Sequence, residues 1–141
     1  MRSFYFVFAL GVLILGLQAC GGGSAAPSPS KLPRATPASV AGNYTGTNVD
    51  SAHGRGIVTA NIVQAGSSIG GGWSISYPGN PSPITSIIGT ITGSQLVLSA
   101  PAQLGVPCAY AVTGTVAGKD IAGTYLSTNC GNSGTFVMTR P

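Results

Sequence analysis

Between Gly42 and Pro141, β-branched residues alternate with polar ones in short runs that glycine interrupts, and no window sustains a helical period. Alternation at a period of two over runs of this length marks half-buried strands, so the region is expected to be all β. Eight strands are predicted, at about Asn43–Thr47, Gly56–Gln64, Ser68–Ser76, Thr85–Thr92, Gln95–Ala100, Cys108–Val116, Asp120–Leu126 and Gly134–Thr139. Successive side chains of a strand point to opposite faces. Val58, Ala60 and Ile62 therefore share one side of the second strand, and Ile69, Gly71, Trp73 and Ile75 one side of the third. Ile87, Gly89 and Ile91, then Leu96 and Leu98, then Phe136 and Met138 continue that apolar series. The opposite faces carry mainly Thr, Ser, Asn and Gln, as in sheet wetted on one side.

Placing Gly118 and Lys119 in a two-residue turn sets Val116 opposite Ile121, Gly114 opposite Gly123 and Val112 opposite Tyr125, small or apolar on one face. The chain holds 22 glycines in 141 residues, many inside strands, where they cost stability unless tight curvature needs them. Eight hairpin-linked strands that must curve predict an up-and-down antiparallel β-barrel, whose closure removes exposed edges; an open β-sandwich is the alternative. At eight strands the interior is either filled or holds one small ligand. Tight connections at Ala65–Ser67, Gly93–Ser94 and Gly118–Lys119 alternate with long ones at Asn48–Arg55, Tyr77–Ile84, Pro101–Pro107 and Ser127–Ser133. In up-and-down order every long loop falls at one mouth, and the chain enters at the other end. Binding residues concentrate on loops held by a rigid scaffold, so the long-loop mouth is the expected working surface, with Asp50, His53, Arg55, Tyr77, Asn80 and Asn132 as exposed candidates. A rival reading uses the interior, with Trp73, Tyr110 and Tyr125 walling a pocket for a small apolar ligand; a third keeps the domain as an envelope spacer.

Ahead of this region, Arg2 precedes Phe4 to Leu17, fourteen residues without a charge, which is the pattern of a secretory signal and too short for a spanning helix. The run closes on Leu17, Gln18, Ala19, Cys20, which resembles the lipobox of bacterial lipoproteins, with Gln18 where a smaller residue is more usual. The resemblance implies cleavage before Cys20, diacylglycerol on its thiol, and, with Gly21 following, passage to the outer membrane of a Gram-negative cell. Two or more acyl chains anchor a protein stably without a membrane helix. Three segments result: a signal peptide over 1–19, a lipid-anchored tether over 20–41, and the β-domain over 42–141. The tether has four prolines and no aromatic residue, too little apolar surface to offset its ordering entropy.

With Cys20 assigned to the lipid, Cys108 and Cys130 remain as a pair in an oxidising compartment, where a disulfide is the default. The hairpin register sets Cys108 against Asn129, one place short, so a bulge or frayed end is needed for the sulfurs to meet. On the loop-entropy account the bridge stabilises by about 3 kcal/mol. Five scattered basic residues against Asp50 and Asp120 in the exported part form no patch, which argues against nucleic-acid binding. No glutamate occurs anywhere and His53 is the sole histidine, so neither a carboxylate pair nor a metal cluster is expected, and no cofactor. Gly66–Gly70 fits G-x-S-x-G but lacks the strand-to-helix turn of a nucleophile elbow, and Asp50, Ser51 and His53 crowd a single turn. An enzyme is therefore the least favoured class.

The strand pattern over 42–141 resembles avidin-like and lipocalin-like barrels in a general way. Several pocket tryptophans of avidins are missing, so biotin binding does not carry over. Glycine-punctuated strands ending in GTY (Gly123–Tyr125) or GTF (Gly134–Phe136) are also similar to the barrel domains of Gram-negative surface lipoproteins that bind host proteins. The expected function is a noncatalytic envelope binding module engaging a protein partner, from the envelope or a host, at the loop mouth.

Overall fold

A computed structural model describes residues 35–80 and 83–141. The predicted signal peptide, Cys20 and the tether up to Arg34 lie outside the described residues. Eight strands follow one another: β1 (Gly42–Asp50), β2 (Gly54–Ala65), β3 (Ser68–Ser76), β4 (Thr85–Thr92), β5 (Gln95–Ala100), β6 (Tyr110–Ala117), β7 (Asp120–Ser127) and β8 (Ser133–Thr139). Each pairs antiparallel with the next, and β1 pairs with β8 from Thr45↔Thr139 to Asp50↔Gly134, which closes the sheet into an up-and-down barrel. The sandwich alternative is set aside by that last pairing. The register inferred for β6 and β7 holds, with Val116 opposite Ile121, Gly114 opposite Gly123 and Val112 opposite Tyr125.

The apolar series inferred from the period of two is the barrel's interior. Val58, Ile69, Ile87, Ile91, Leu96, Val112, Ile121, Phe136 and Met138 are all buried there and fill it. Side chains rather than a void occupy the middle of the cylinder, as eight strands permit. Wrapping so few strands demands close approach of neighbouring backbones. At Gly71, φ is +138° and a Cβ would overlap the carbonyl of Asn61 on β2, so only glycine fits the bend there. The outer face is less uniformly polar than the alternation suggests, since Val49, Ile57, Val63, Ile88, Val97, Leu126 and Val137 stand exposed among the threonines. β-branched side chains suit a pleated surface whether or not it is covered, and singly scattered ones are ordinary.

Two departures from the predicted boundaries matter. β1 continues to Asp50 and β2 begins at Gly54, so the long loop expected over Asn48–Arg55 shrinks to three residues. The Asp50 carboxylate accepts the amide protons of Ala52 and His53, and Gly54 takes a φ of +75°, which lets the ladder run on into a tight turn. At the other end, packed chain begins before Gly42. Val40 is fully buried, its N–H donates to Gln64 Oε1 at 2.7 Å, and Gln64 Nε2 returns a bond to the Ala38 carbonyl. The Ala38 N–H donates to the Gly93 carbonyl in the β4–β5 turn. Residues 38–40 thus plug the end of the barrel that carries the tight turns, and the chain enters there. The loops β3–β4, β5–β6 and β7–β8, with the short β1–β2 turn, ring the opposite mouth.

Cys108 and Cys130 are joined, with Cα atoms 5.6 Å apart. Both lie just outside the ladder, which ends at Tyr110↔Ser127, so the bridge sits at the frayed end of the hairpin. It ties the β5–β6 loop to the β7–β8 loop at the mouth.

Candidate functional site

The inward positions of β1 are Tyr44, Gly46, Asn48 and Asp50, and the last two put polar groups where the rest of the barrel has hydrocarbon. Asp50 stands at the centre of what they build. Its Oδ1 accepts from the backbone N–H of Ala52 (2.8 Å) and His53 (3.0 Å) and faces His53 Nδ1 at 3.0 Å. Its Oδ2 accepts from Tyr125 Oη at 2.8 Å and Asn132 Nδ2 at 3.0 Å. Burial alone would raise the carboxyl's pKa, but the bonds from Ala52, Tyr125, His53 and Asn132 together hold it down to about 2. Asp50 is therefore ionised at neutral pH, and among the described residues no lysine or arginine pairs with it.

An ionised carboxylate can only accept, and this fixes the direction of every neighbouring bond. Tyr125 spends its proton on Asp50, so its oxygen accepts from Asn48 Nδ2 at 3.1 Å; the same amide donates to Tyr77 Oη at 3.1 Å. Asn132 likewise donates an amide N–H to Asp50. Two carbonyl oxygens, Asn48 Oδ1 and Asn132 Oδ1, are left buried without a donor. The phenols titrate late: burial first, then bonding to Tyr77 and Asp50, pushes Tyr125 far up, and burial also raises Tyr77. Two glycines make room for the network. A Cβ at Gly134 would strike the Tyr125 ring, and one at Gly56 would crowd Asn48 Oδ1 and the Tyr77 ring.

Above this polar floor lies a cavity of about 110 Å³, walled by Trp73, Tyr77, Tyr110 and Tyr125 and rimmed by His53, Asn80, Val106 and Asn132. The Tyr125 ring meets Trp73 and Tyr110 nearly at right angles, with centroids 5.8 Å away in both cases, so three rings form the corner of a box. His53 stacks on Tyr77 at 4.8 Å.

The residues expected to belong to two separate sites, one for a partner and one for an apolar ligand, are thus largely one constellation. Trp73, Tyr110 and Tyr125 line the same cavity as His53, Tyr77, Asn80 and Asn132. Asp50 is a correction: expected as an exposed contact, it is buried beneath the cavity, because its side chain organises the β1–β2 turn and the phenols around it. Tyr77 is half-buried rather than exposed, since its ring is stacked by His53 and its hydroxyl bonded by Asn48. Arg55 is exposed but lies elsewhere, in an outer groove with Ile57 and Pro78. Asn48 was not anticipated, having been placed in a loop; its position two residues after Gly46 on the inward series of β1 was the available signal. Thr85 and Val106, also in the lining, carried none.

No protein-family model and no curated protein sequence matches the chain. Fold and geometry define it as a small, closed, eight-stranded antiparallel barrel of the architecture that lipocalin-like and avidin-like domains share, with its pocket at the long-loop mouth.

Proposed function

We propose that this chain is a lipid-anchored, noncatalytic binding module of the cell envelope that works through the long-loop mouth of its barrel. One observation carries the reading: the mouth holds a preorganised aromatic and polar pocket, whereas the other end is plugged by Val40 and closed by tight turns. Buried polar groups are costly unless fully partnered, so a network with two carbonyl oxygens left over at the mouth is more than a device for stability. Lipidation rests on the sequence Leu17–Cys20 and export on the apolar run before it. With the chain entering at the plugged end, an anchor at Cys20 would leave the mouth free to meet its partner, an envelope or host protein, and the cavity there gives a small ligand room beside the filled interior.

The full chain, produced in its own cell with a photo-crosslinking residue at Asn80 or at Lys119, tests both halves. The expected result is a discrete adduct from position 80 and none from position 119, together with palmitate incorporation that Cys20→Ser abolishes. Equal adducts from both positions, or no incorporation of label, would overturn the reading.

A further inference from the structure

The mouth cavity has a definite chemical bias, and the inference drawn from it rests on the reading of the mouth as the working end. Tyr125 and Asn132 donate to Asp50, and Asn48 donates to Tyr125 and Tyr77, which leaves the amide oxygens of Asn48 and Asn132 without a donor. Asn132, which spends one amide N–H on Asp50, contributes to the cavity wall and keeps its carbonyl oxygen buried and unpaired. In the neutral His53 ring the proton sits on Nδ1, opposite a carboxylate oxygen that cannot donate, so Nε2 presents a lone pair. The walls are π faces and edges from Trp73, Tyr77, Tyr110 and Tyr125. Beneath lies one full negative charge held by neutral dipoles and the His53 ring, and no lysine or arginine belongs to the lining. The chain's other described cations are placed away from the cavity: Lys119 and Arg140 meet at the plugged end, and Arg55 lies in the outer groove.

Aromatic walls, a histidine acceptor and a buried carboxylate that no lysine or arginine pairs among the described residues are complementary to one kind of group. We infer that the mouth cavity binds the ammonium head of a small organic cation, seated against the rings of Trp73, Tyr110 and Tyr125 with His53 Nε2 on the rim as an acceptor. Aromatic rings attract cations through their negative faces, most strongly when water is excluded, and a site lined by one sign of charge concentrates the opposite one. At about 110 Å³ the cavity admits a headgroup of a few heavy atoms and leaves the remainder of the ligand outside the mouth.

Trp73 is the sole tryptophan of the chain and lines this cavity, so its emission reports on what binds there. The full chain in detergent is titrated with tetramethylammonium chloride, with tert-butanol as a neutral probe of the same size, and with sodium acetate. Tetramethylammonium is expected to shift the Trp73 emission saturably, with a Kd of about 1 mM for so small a probe. Tert-butanol and acetate are expected to bind at least about tenfold more weakly. Tyr110→Phe keeps a ring and should bind as the parent does, while Tyr110→Leu should lose about fivefold. Among the described residues Tyr110 makes no side-chain hydrogen bond, so neither variant removes a bond from the network, and Tyr110→Phe also keeps the edge contact with the Tyr125 ring. Asp50→Asn should lose about tenfold, and the Tyr110 pair stands even if that variant folds poorly. Phosphocholine distinguishes the source of the ammonium: binding as tight as tetramethylammonium points to a lipid headgroup, weaker binding to a free amine, and both outcomes support the inference. Tert-butanol binding as well as the cation would overturn it while leaving the mouth as a binding surface. No response to any probe, with the adduct at position 80 still formed, would likewise overturn the inference alone.

Discussion

The two ends of this barrel are built from the same eight strands and solve opposite problems. At the plugged end Val40 and Tyr44 are buried, the Tyr44 hydroxyl donates to the Val40 carbonyl, and Gln64 clasps the entering chain by two hydrogen bonds and its own turn by a third. The bonds that hold the entering chain span 24 and 26 positions, no buried side-chain polar atom is left unpaired there among the described residues, and the turns are two residues long. At the mouth the partners are far apart in sequence: Asp50 and Tyr125 are separated by 75 positions, Asp50 and Asn132 by 82. Groups so distant meet only after β1 has closed on β8, and the network they form is left with unspent acceptors. Bonding completed within the chain makes an end stable; bonding left incomplete makes an end ready for something else.

The sharpest way to break this contrast is Asp50→Ala. It removes the acceptor of Tyr125, Asn132 and two turn amides at once, and each orphaned buried donor costs about 1–3 kcal/mol, so a total loss of about 4 kcal/mol is expected in urea unfolding. A loss below about 1 kcal/mol would show that the mouth network is not cooperative. Val40→Ala, at the plugged end, should cost about 2 kcal/mol for two buried methyl groups and the space they leave. Because the plug lies at the opposite end of the barrel from the Asp50 network, hydrogen exchange should accelerate at residues 38–40 while the Tyr125 region stays protected.

Acid separates the ends in another way. The Asp50 carboxyl titrates near 3.8 when unfolded and at about 2 when folded, so the unfolded chain takes up the proton first. A depressed folded pKa gives stability that is complete above about pH 5 and fades as pH falls through about 2, amounting to about 2 kcal/mol. Stability measured against pH should show this loss in the parent and lack it in Asp50→Asn. The smallest effect is expected at Gly118→Ala, in the β6–β7 turn at the plugged end. There φ is +63° and nothing lies near an added Cβ, so only the left-handed backbone resists, at about 1 kcal/mol in the same urea assay. A Gly118→Ala cost equal to that of Asp50→Ala would erase the asymmetry.

The same asymmetry explains what the sequence could reveal. β3, β4 and β5 fall at their predicted limits because glycine, proline or a tight turn marks each end and the inward positions between are apolar. β1 was cut short at Thr47 because Asn48 and Asp50, though inward, are polar, and a rule that equates inward with apolar reads such positions as loop. The plugged end was missed for a related reason. Val40 stands alone in a stretch of small and proline residues, with no periodicity to announce that it is buried. At the site, the sequence supplied most of the members and not their union. Trp73, Tyr110 and Tyr125 were legible as a cluster from strand faces, and His53, Asn80 and Asn132 from loop position. Only closure of the barrel brings the two groups over a single carboxylate.

The bridge between Cys108 and Cys130 encloses the one exposed lysine of the domain, Lys119, which sits in a turn at the far end of the molecule. A trypsin-like protease that cuts after Lys119 therefore produces two fragments that still migrate together until a reductant is added. A nick in that hairpin turn leaves the polypeptide in one covalent piece, so a chain built this way keeps its two halves together through damage that would sever an unbridged one.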